Sequence, residues 1–324
     1  MASEAAETRH FFPDLKRNNT PTSSGSTVVS YTSDLGADKP ILTLIHGYPQ
    51  SSYEWRYVVP ALLKLNKVSL FVPELPGYGI SSPSKENSRL DIGSALLEAL
   101  QKVFSITESS KRKVILGGHD RGGRICHRLA VSRANFPALD VIGAIILDIV
   151  PTKIQWEKFS DPVICSGYFH WPLLANVEIS CKLIKAYGGG QWTRDANERI
   201  AGNEKGRARV QADGAVDVYA ALFDKEETLK YSALDYYHGS AEECENQAAD
   251  QQAGKKVEVP TLVMFSKAKL GARIDVEREW RAWIKEGVEY KGVGVGDGYG
   301  HYLPEEAHET VIEEVTQFLN KHVK

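Results

Sequence analysis

The stretch Val114-Ile-Leu-Gly-Gly-His-Asp-Arg-Gly-Gly-Arg-Ile-Cys-His-Arg-Leu-Ala130 decides how the whole chain is read. Its apolar run, Val114 to Leu116, has the composition of a short buried strand, and Ile125, Leu129 and Ala130 recur at helical spacing after it. Between the two, Asp120 sits in a turn bracketed by Gly118, Gly122 and Gly123, where missing side chains let strand and helix approach closely. This is the pattern of a nucleophile elbow, with a carboxylate where the better-known form carries a serine. A carboxylate raised above a sheet edge attacks carbon and leaves an ester on the protein, which water must then cleave. The competing reading is an ordinary strand-to-helix turn in which Asp120 only caps the helix, a position that Asp favours.

Working outward, Ile41-Leu-Thr-Leu-Ile45 reads as a buried strand ending in His46-Gly-Tyr-Pro-Gln50, with a helix from Trp55 to Leu65. Val68 to Pro73 is a further strand, Leu90 to Phe104 carries apolar residues at helical spacing, and Val141-Ile-Gly-Ala-Ile-Ile-Leu147 is a strand with Asp148 at its end. Ser26 to Thr32 alternates like a strand, while residues 1 to about 25 are polar and are expected to wrap the surface, anchored by Phe11, Phe12 and Leu15. From Pro151 to about Val259 no strand run occurs, and the mixed, aromatic-spotted sequence reads as a helical insertion. Strand character returns at Pro260 to Phe265 and at Val288 to Val295, and Ala307 to Lys321 forms a closing amphipathic helix. Alternating strands and helices specify an α/β fold with a mostly parallel central sheet flanked by helices. The expected organisation is a core of residues 1–150 and 260–324 interrupted by a helical cap, 151–259, inserted after the Val141–Leu147 strand.

Composition narrows the function classes. The 324 residues, 42% hydrophobic and 25% charged with a formal net charge of −3, suit one large soluble domain or a domain with an insertion. Lys and Arg are scattered without a basic stripe, so no nucleic-acid partner is expected. Cys126, Cys165, Cys181 and Cys244 show neither Cys-x-x-Cys spacing nor a paired histidine pattern, which argues against a zinc site or a disulfide framework and fits a reducing compartment. Met1-Ala-Ser-Glu-Ala-Ala-Glu-Thr-Arg-His10 has no apolar core of signal-peptide length, and no run approaches a membrane span. A cytoplasmic protein that does not act at a membrane is the expectation.

In an open parallel sheet, ligands bind at the carboxyl ends of the strands. Asp120, Asp148 and His301 all fall at such ends, the last within Asp297-Gly-Tyr-Gly-His-Tyr-Leu-Pro304. Water attacking an aspartyl ester needs a general base, and histidine suits the task because its pKa lies near neutrality. A second carboxylate orients that histidine and stabilises its imidazolium. His301 is therefore the expected base and Asp148 its partner. Singly, His301 reads as a loop histidine and Asp148 as a helix cap before Pro151; three such residues in chain order at three strand ends are hard to obtain by accident. His46 reads as a structural strand-end residue, but its turn offers the Tyr48 backbone N–H, which with that of Arg121 can form an oxyanion hole.

At this point the chain resembles the α/β-hydrolase superfamily, and within it the fluoroacetate (haloacetate) dehalogenases. The resemblance covers nearly the whole chain and is carried by His46-Gly-Tyr-Pro-Gln50, Gly118-His-Asp-Arg-Gly-Gly-Arg124, Leu147-Asp-Ile-Val-Pro-Thr152, Tyr168-Phe-His-Trp171 and Gly300-His-Tyr-Leu-Pro-Glu-Glu-Ala307. The first and last are shared with epoxide hydrolases; the Asp-Arg-x-x-Arg step, the His-Trp pair and the Leu-Asp-Ile-Val-Pro-Thr segment are more particular. The resemblance implies Asp120 as nucleophile, Asp148 and His301 as relay and base, and Arg121 and Arg124 as clamps on a substrate carboxylate, a task to which the guanidinium fork is suited. It further implies His170, Trp171 and Tyr236 as donors to a departing halide, with Trp192 in the cap wall of that leaving-group pocket. No metal or organic cofactor is implied, and the family often forms homodimers. The segment from about Ala175 to Lys256 departs from the family pattern, so Tyr236 can exchange places with Tyr237, and the Gly292 to Gly300 loop is longer than usual.

Two other readings stay open. An epoxide hydrolase uses the same ester chemistry with two cap tyrosines as proton donors, and Tyr168, Tyr219, Tyr231, Tyr236 and Tyr237 supply candidates. Against it, Ser266 to Asp275 offers no early acid where those enzymes usually place theirs, and Arg124 has no evident work on a neutral epoxide. A haloalkane dehalogenase would carry Trp rather than Arg after the nucleophile. A hydrolase of a larger natural carboxylate also fits the altered cap, and from another class so does a non-catalytic ligand-binding protein of this fold, although that would not need the Asp120, Asp148 and His301 set.

Overall fold

The computed structural model describes Ala6 and residues 9–323. Its elements in chain order begin with strands β1 (Lys16–Pro21), β2 (Thr27–Ser33) and β3 (Ile41–Thr43), helix α1 (Val58–Leu65), strand β4 (Ser69–Pro73) and helix α2 (Arg89–Val103). Strand β5 (Arg112–His119), helix α3 (Arg121–Val131) and strand β6 (Leu139–Leu147) follow. The eight strands form one sheet in the order β1-β2-β4-β3-β5-β6-β7-β8, where β7 is Thr261–Ser266 and β8 is Tyr290–Val295. Only β1 and β2 run antiparallel to their neighbours. A sheet covered on both faces needs strands that are apolar throughout, and β5 and β6 are buried along nearly their whole length.

Strand β1 corrects the sequence reading of residues 1–25 as a surface wrap. The strand Lys-Arg-Asn-Asn-Thr-Pro has no apolar alternation to reveal it; its ladder with β2 holds it in place, with the Lys102 ammonium donating to the Pro21 carbonyl at 2.7 Å. Phe11, Phe12 and Leu15 are buried, the two rings against Tyr31. Residues 1–5, 7 and 8 of the expected wrap lie outside the described residues.

Between β6 and β7 the chain is helical, with α4 (Thr152–Glu157), α5 (Pro162–Gly167), α6 (His170–Ala175), α7 (Val177–Tyr187), α8 (Gly189–Ile200), α9 (Glu204–Gln211), α10 (Ala215–Phe223), α11 (Glu226–Ser240) and α12 (Glu242–Gln252). After β7 come α13 (Val276–Arg281), then β8, α14 (Leu303–Glu306) and α15 (His308–His322). The Gly292–Gly300 segment is thus half strand, because β8 carries its glycines through Val295 before the turn to His301. Helices α6 and α11 lie over the carboxyl ends of β3, β5 and β6, with Trp171 and Tyr236 in edge-to-face contact at 5.4 Å between ring centroids. Among the described residues no helix is long and apolar enough to cross a membrane.

Candidate active site

Helix α3 starts where β5 stops, and the bend is tight. A Cβ at Gly118 would lie 2.4 Å from the Gly122 carbonyl carbon, and one at Gly122 would lie 2.0 Å from the Ile45 carbonyl oxygen. Asp120 sits on this bend at φ +44°, a conformation that costs a residue with a side chain on the order of 1–3 kcal/mol. Its side chain makes no capping bond to α3. Instead its Oδ2 accepts the Tyr48 backbone N–H at 2.9 Å, which disposes of the simple cap reading. The Arg121 N–H lies in the first turn of α3, where helical amides have no partner within the helix.

Asp148, at φ +52° just past β6, is held by two donors. Its Oδ1 accepts the Ser266 N–H at 2.7 Å, and its Oδ2 accepts from His301 Nδ1 at 2.6 Å. That bond leaves the unprotonated Nε2 of His301 facing Asp120 Oδ1 at 3.8 Å, too far for a direct hydrogen bond and near enough for a water to serve both. Asp275, in the segment after β7, caps α13 and takes no part.

A cavity of about 350 Å³ opens above these groups, with Asp120, Asp148 and His301 in its wall. Burial works against ionising Asp120, but the neighbouring guanidinium charges, Arg121 foremost and then Arg124, hold the carboxyl well below the usual range. Asp120 is therefore an anion at neutral pH, as an attacking carboxylate must be. Arg124 reaches the cavity; its Nη1 donates to the Val150 carbonyl at 2.8 Å, and its Nε has no hydrogen-bond partner in the protein. Burial, then the charge of Arg121, lowers Arg124 to about 9, so it stays cationic at neutral pH.

Arg121 is placed differently from Arg124. It is buried off the cavity wall, its Nη1 is 3.3 Å from Asp235 Oδ2, and the Tyr236 ring lies 3.7 Å from its guanidinium carbon. The two arginines that the resemblance pairs as clamps thus divide, one at the cavity and one beneath Tyr236. His170, Trp171 and Tyr236 all line the cavity. His170 has an unpartnered Nδ1, and burial, followed by the charges of Arg199 and Arg121, drives its pKa well down, leaving a neutral ring. Tyr236 is buried with its pKa pushed up by burial, whereas Tyr237 is 53% exposed, which decides the register between them.

Trp192 is a correction. It does not border the cavity with Asp120 but a neighbouring apolar one, and its indole N–H donates to the Tyr48 hydroxyl at 2.6 Å. It reaches the site through Tyr48 and through Phe169, whose ring meets it edge-on at 6.1 Å, both of which line the cavity. His46 is fully buried and structural, with Nε2 accepting the Leu75 N–H at 3.0 Å.

Two networks had no sequence signal. His119 donates to the carbonyl of His301 at 2.8 Å and to Glu54 at 3.1 Å. Burial opposes its charge, but Glu54 raises its pKa to about 9, so a protonated histidine grips the His301 backbone. Asp235 binds Arg89 at 2.6 Å as well as Arg121, joining α2, α3 and α11. Both depend on partners far apart in sequence, which spacing alone does not reveal.

Residues 40–158 match the family model for the alpha/beta hydrolase fold. The chain is 28% identical over 242 residues to a fluoroacetate dehalogenase of Burkholderia sp., covering 73% of this chain and 74% of that protein. It is 27% identical over 283 residues to a soluble epoxide hydrolase of Corynebacterium sp. (strain C12), covering 86% and 89%. In shape it matches the epoxide hydrolase CorEH with a TM-score of 0.78 at 21% identity over 95% of this chain and 99% of that one, a likeness of fold.

Proposed function

We propose that this protein, an α/β-hydrolase related to both fluoroacetate dehalogenases and epoxide hydrolases, displaces halide from 2-halocarboxylates such as fluoroacetate or chloroacetate through an ester on Asp120. The observation that carries the reading is the buried, cationic Arg124 in the same cavity wall as the ionised Asp120. A neutral substrate has no use for such a cation, whereas a carboxylate beside the carbon under attack does.

In the first step an Asp120 oxygen bonds to the carbon next to the substrate carboxylate, the carbon–halogen bond breaks, and the halide leaves with the electron pair. The N–H groups of His170 and Trp171 and the hydroxyl of Tyr236 are the donors available to it, and burial keeps the Tyr236 proton in place. In the second step His301 Nε2 takes a proton from water, which adds to the ester carbonyl. The Tyr48 N–H, already on Asp120 Oδ2, stabilises the oxyanion. Collapse releases a 2-hydroxy acid and the free Asp120 carboxylate, and Asp148 holds the imidazolium throughout.

A second reading has one observation in its favour: Tyr168 and Tyr236 both line the cavity, as two proton donors to an epoxide oxygen would. Burial pushes Tyr168 up to about 12, so it too keeps its proton. Halide release from fluoroacetate and chloroacetate, measured beside diol formation from styrene oxide with one enzyme batch, separates the two. Halide without diol is the expected result; diol without halide overturns the proposal and turns attention to the tyrosines.

A further inference from the structure

Three cations in the cavity wall have no part in the chemistry just described. Arg199 ends α8, and Lys269 and Arg273 lie in the loop after β7. Arg199 and Arg273 converge on Gly167: Arg199 Nη1 donates to its carbonyl at 3.2 Å, and a Cβ at Gly167 would meet Arg273 Nη1 at 2.7 Å. Among the described residues none of the three has a carboxylate within ion-pair distance. The acid acting on Lys269 is Glu306, but its oxygens accept the N–H groups of Gly202, Gly300 and Tyr302. Lys269 is half-buried, and its pKa is lowered first by burial and then by Arg273, Arg199 and Arg207. Arg199 and Arg273 are exposed and Lys269 is half-buried, so the three present positive charge, with no carboxylate among the described residues in direct contact, to whatever enters the cavity.

The loop that carries two of them is tied to the reaction centre. The Lys269 N–H donates to Ser266 Oγ at 3.1 Å, and the Ser266 N–H donates to Asp148. The Lys269 backbone is therefore tied through Ser266 to Asp148. Size agrees: about 350 Å³ falls in the range of pockets that hold drug-sized ligands, roughly 300–1,000 Å³, and a two-carbon haloacetate would leave most of it to water.

We infer that the substrate carries a second anionic group, a carboxylate in its simplest form, held by Arg199, Lys269 and Arg273 while Arg124 takes the carboxylate beside the carbon under attack. The preferred class is then a 2-halodicarboxylate, converted to the 2-hydroxydicarboxylate. The bonds made and broken are those already given: carbon–halogen breaks, carbon–oxygen forms to Asp120, and water replaces Asp120 with release of one proton and one halide. The inference rests on the proposed 2-halocarboxylate chemistry, and its test separates the two.

Halide release is measured from 2-chlorobutanoate and 2-chlorosuccinate, which share a four-carbon skeleton and differ in the distal charge, with 2-chloroadipate as a longer diacid. At least one diacid should exceed the monoacid in kcat/KM by about tenfold. Arg199→Gln, Lys269→Gln and Arg273→Gln should each shrink that ratio. A monoacid as good as both diacids, or a ratio indifferent to all three substitutions, overturns the inference while leaving the dehalogenase reading intact. So does an equal loss on all substrates that vanishes at high salt, which would mean that the cations only steer anions. If no halocarboxylate releases halide, the dehalogenase reading falls. Calorimetry of succinate and adipate against butanoate on the Asp120→Asn protein then decides the second anion site alone. Tighter diacid binding that Arg273→Gln abolishes supports it, and equal binding removes it.

Discussion

Replacing Asp148 by Asn tests the division of labour in the site. The Asp148 carboxylate accepts two N–H donors, from Ser266 at 2.7 Å and His301 at 2.6 Å. A carboxylate offers acceptors on both sides, but an amide offers one, so an asparagine side chain that keeps the Ser266 bond must turn its NH2 group toward His301 Nδ1. The imidazole then moves its proton to Nε2, the atom that faces Asp120, and has no lone pair there to take a proton from water. Asn tolerates the φ of +52° at this position, so the backbone should survive. Loss of tautomer and charge support together is worth roughly 10⁴-fold in a comparable triad, about 5 kcal/mol of barrier. Formation of the ester uses neither Asp148 nor the His301 lone pair and should slow by less than about tenfold. With substrate in excess, halide release should therefore show a burst of about one equivalent per site followed by a very slow steady state, with a matching mass increase on the peptide containing Asp120. Steady-state turnover within tenfold of the native protein, or a burst slowed as much as the steady state, would refute the reasoning.

Other outcomes follow from the surrounding networks. Asp235→Asn removes the charge shared by the buried Arg89 and Arg121 and should destabilise the protein by about 3 kcal/mol, read from denaturant unfolding; a change below 1 kcal/mol would mean that the two arginines are not held as the distances suggest. Tyr48→Phe and Trp192→Phe should each weaken activity, and the double variant should do no worse than the stronger single, because both remove one hydrogen bond worth about 1 kcal/mol; additive losses would give Trp192 an independent role. His119 has a folded-state pKa raised to about 9 from an ordinary value of 6.5, so its stabilising contribution is complete below about 6.5 and is lost as pH rises through about 9. The shift corresponds to about 3 kcal/mol, and His119→Gln should flatten the decline in unfolding free energy between those pH values; identical slopes in the two proteins would discount the Glu54 ion pair.

What the sequence determined by itself is local. A strand, glycines and a helix at Val114 to Ala130 leave one way to place Asp120, because only small residues pass through a bend where an added Cβ would lie 2.0–2.4 Å from backbone. Asp148 and His301 were legible for a related reason: parallel strands with intervening helices bring all their carboxyl ends to one edge, so residues at those ends meet wherever the chain places them. The strand β1 was not legible, since its polar sequence pairs only because β2 offers an edge.

Only the tertiary structure decided which of two arginines on one helical turn faces the cavity. Arg121 and Arg124 are equivalent by spacing, yet Asp235 and Tyr236, from a helix more than a hundred residues later, draw Arg121 aside and leave Arg124 on the cavity wall. The same holds for Trp192, turned away to Tyr48, for His119, charged because Glu54 packs against it, and for Arg199, Lys269 and Arg273, gathered from two elements onto one wall. Backbone geometry acts over neighbouring residues and can be read from order along the chain. Burial and charge act through space, and they take their values only once distant segments have packed together.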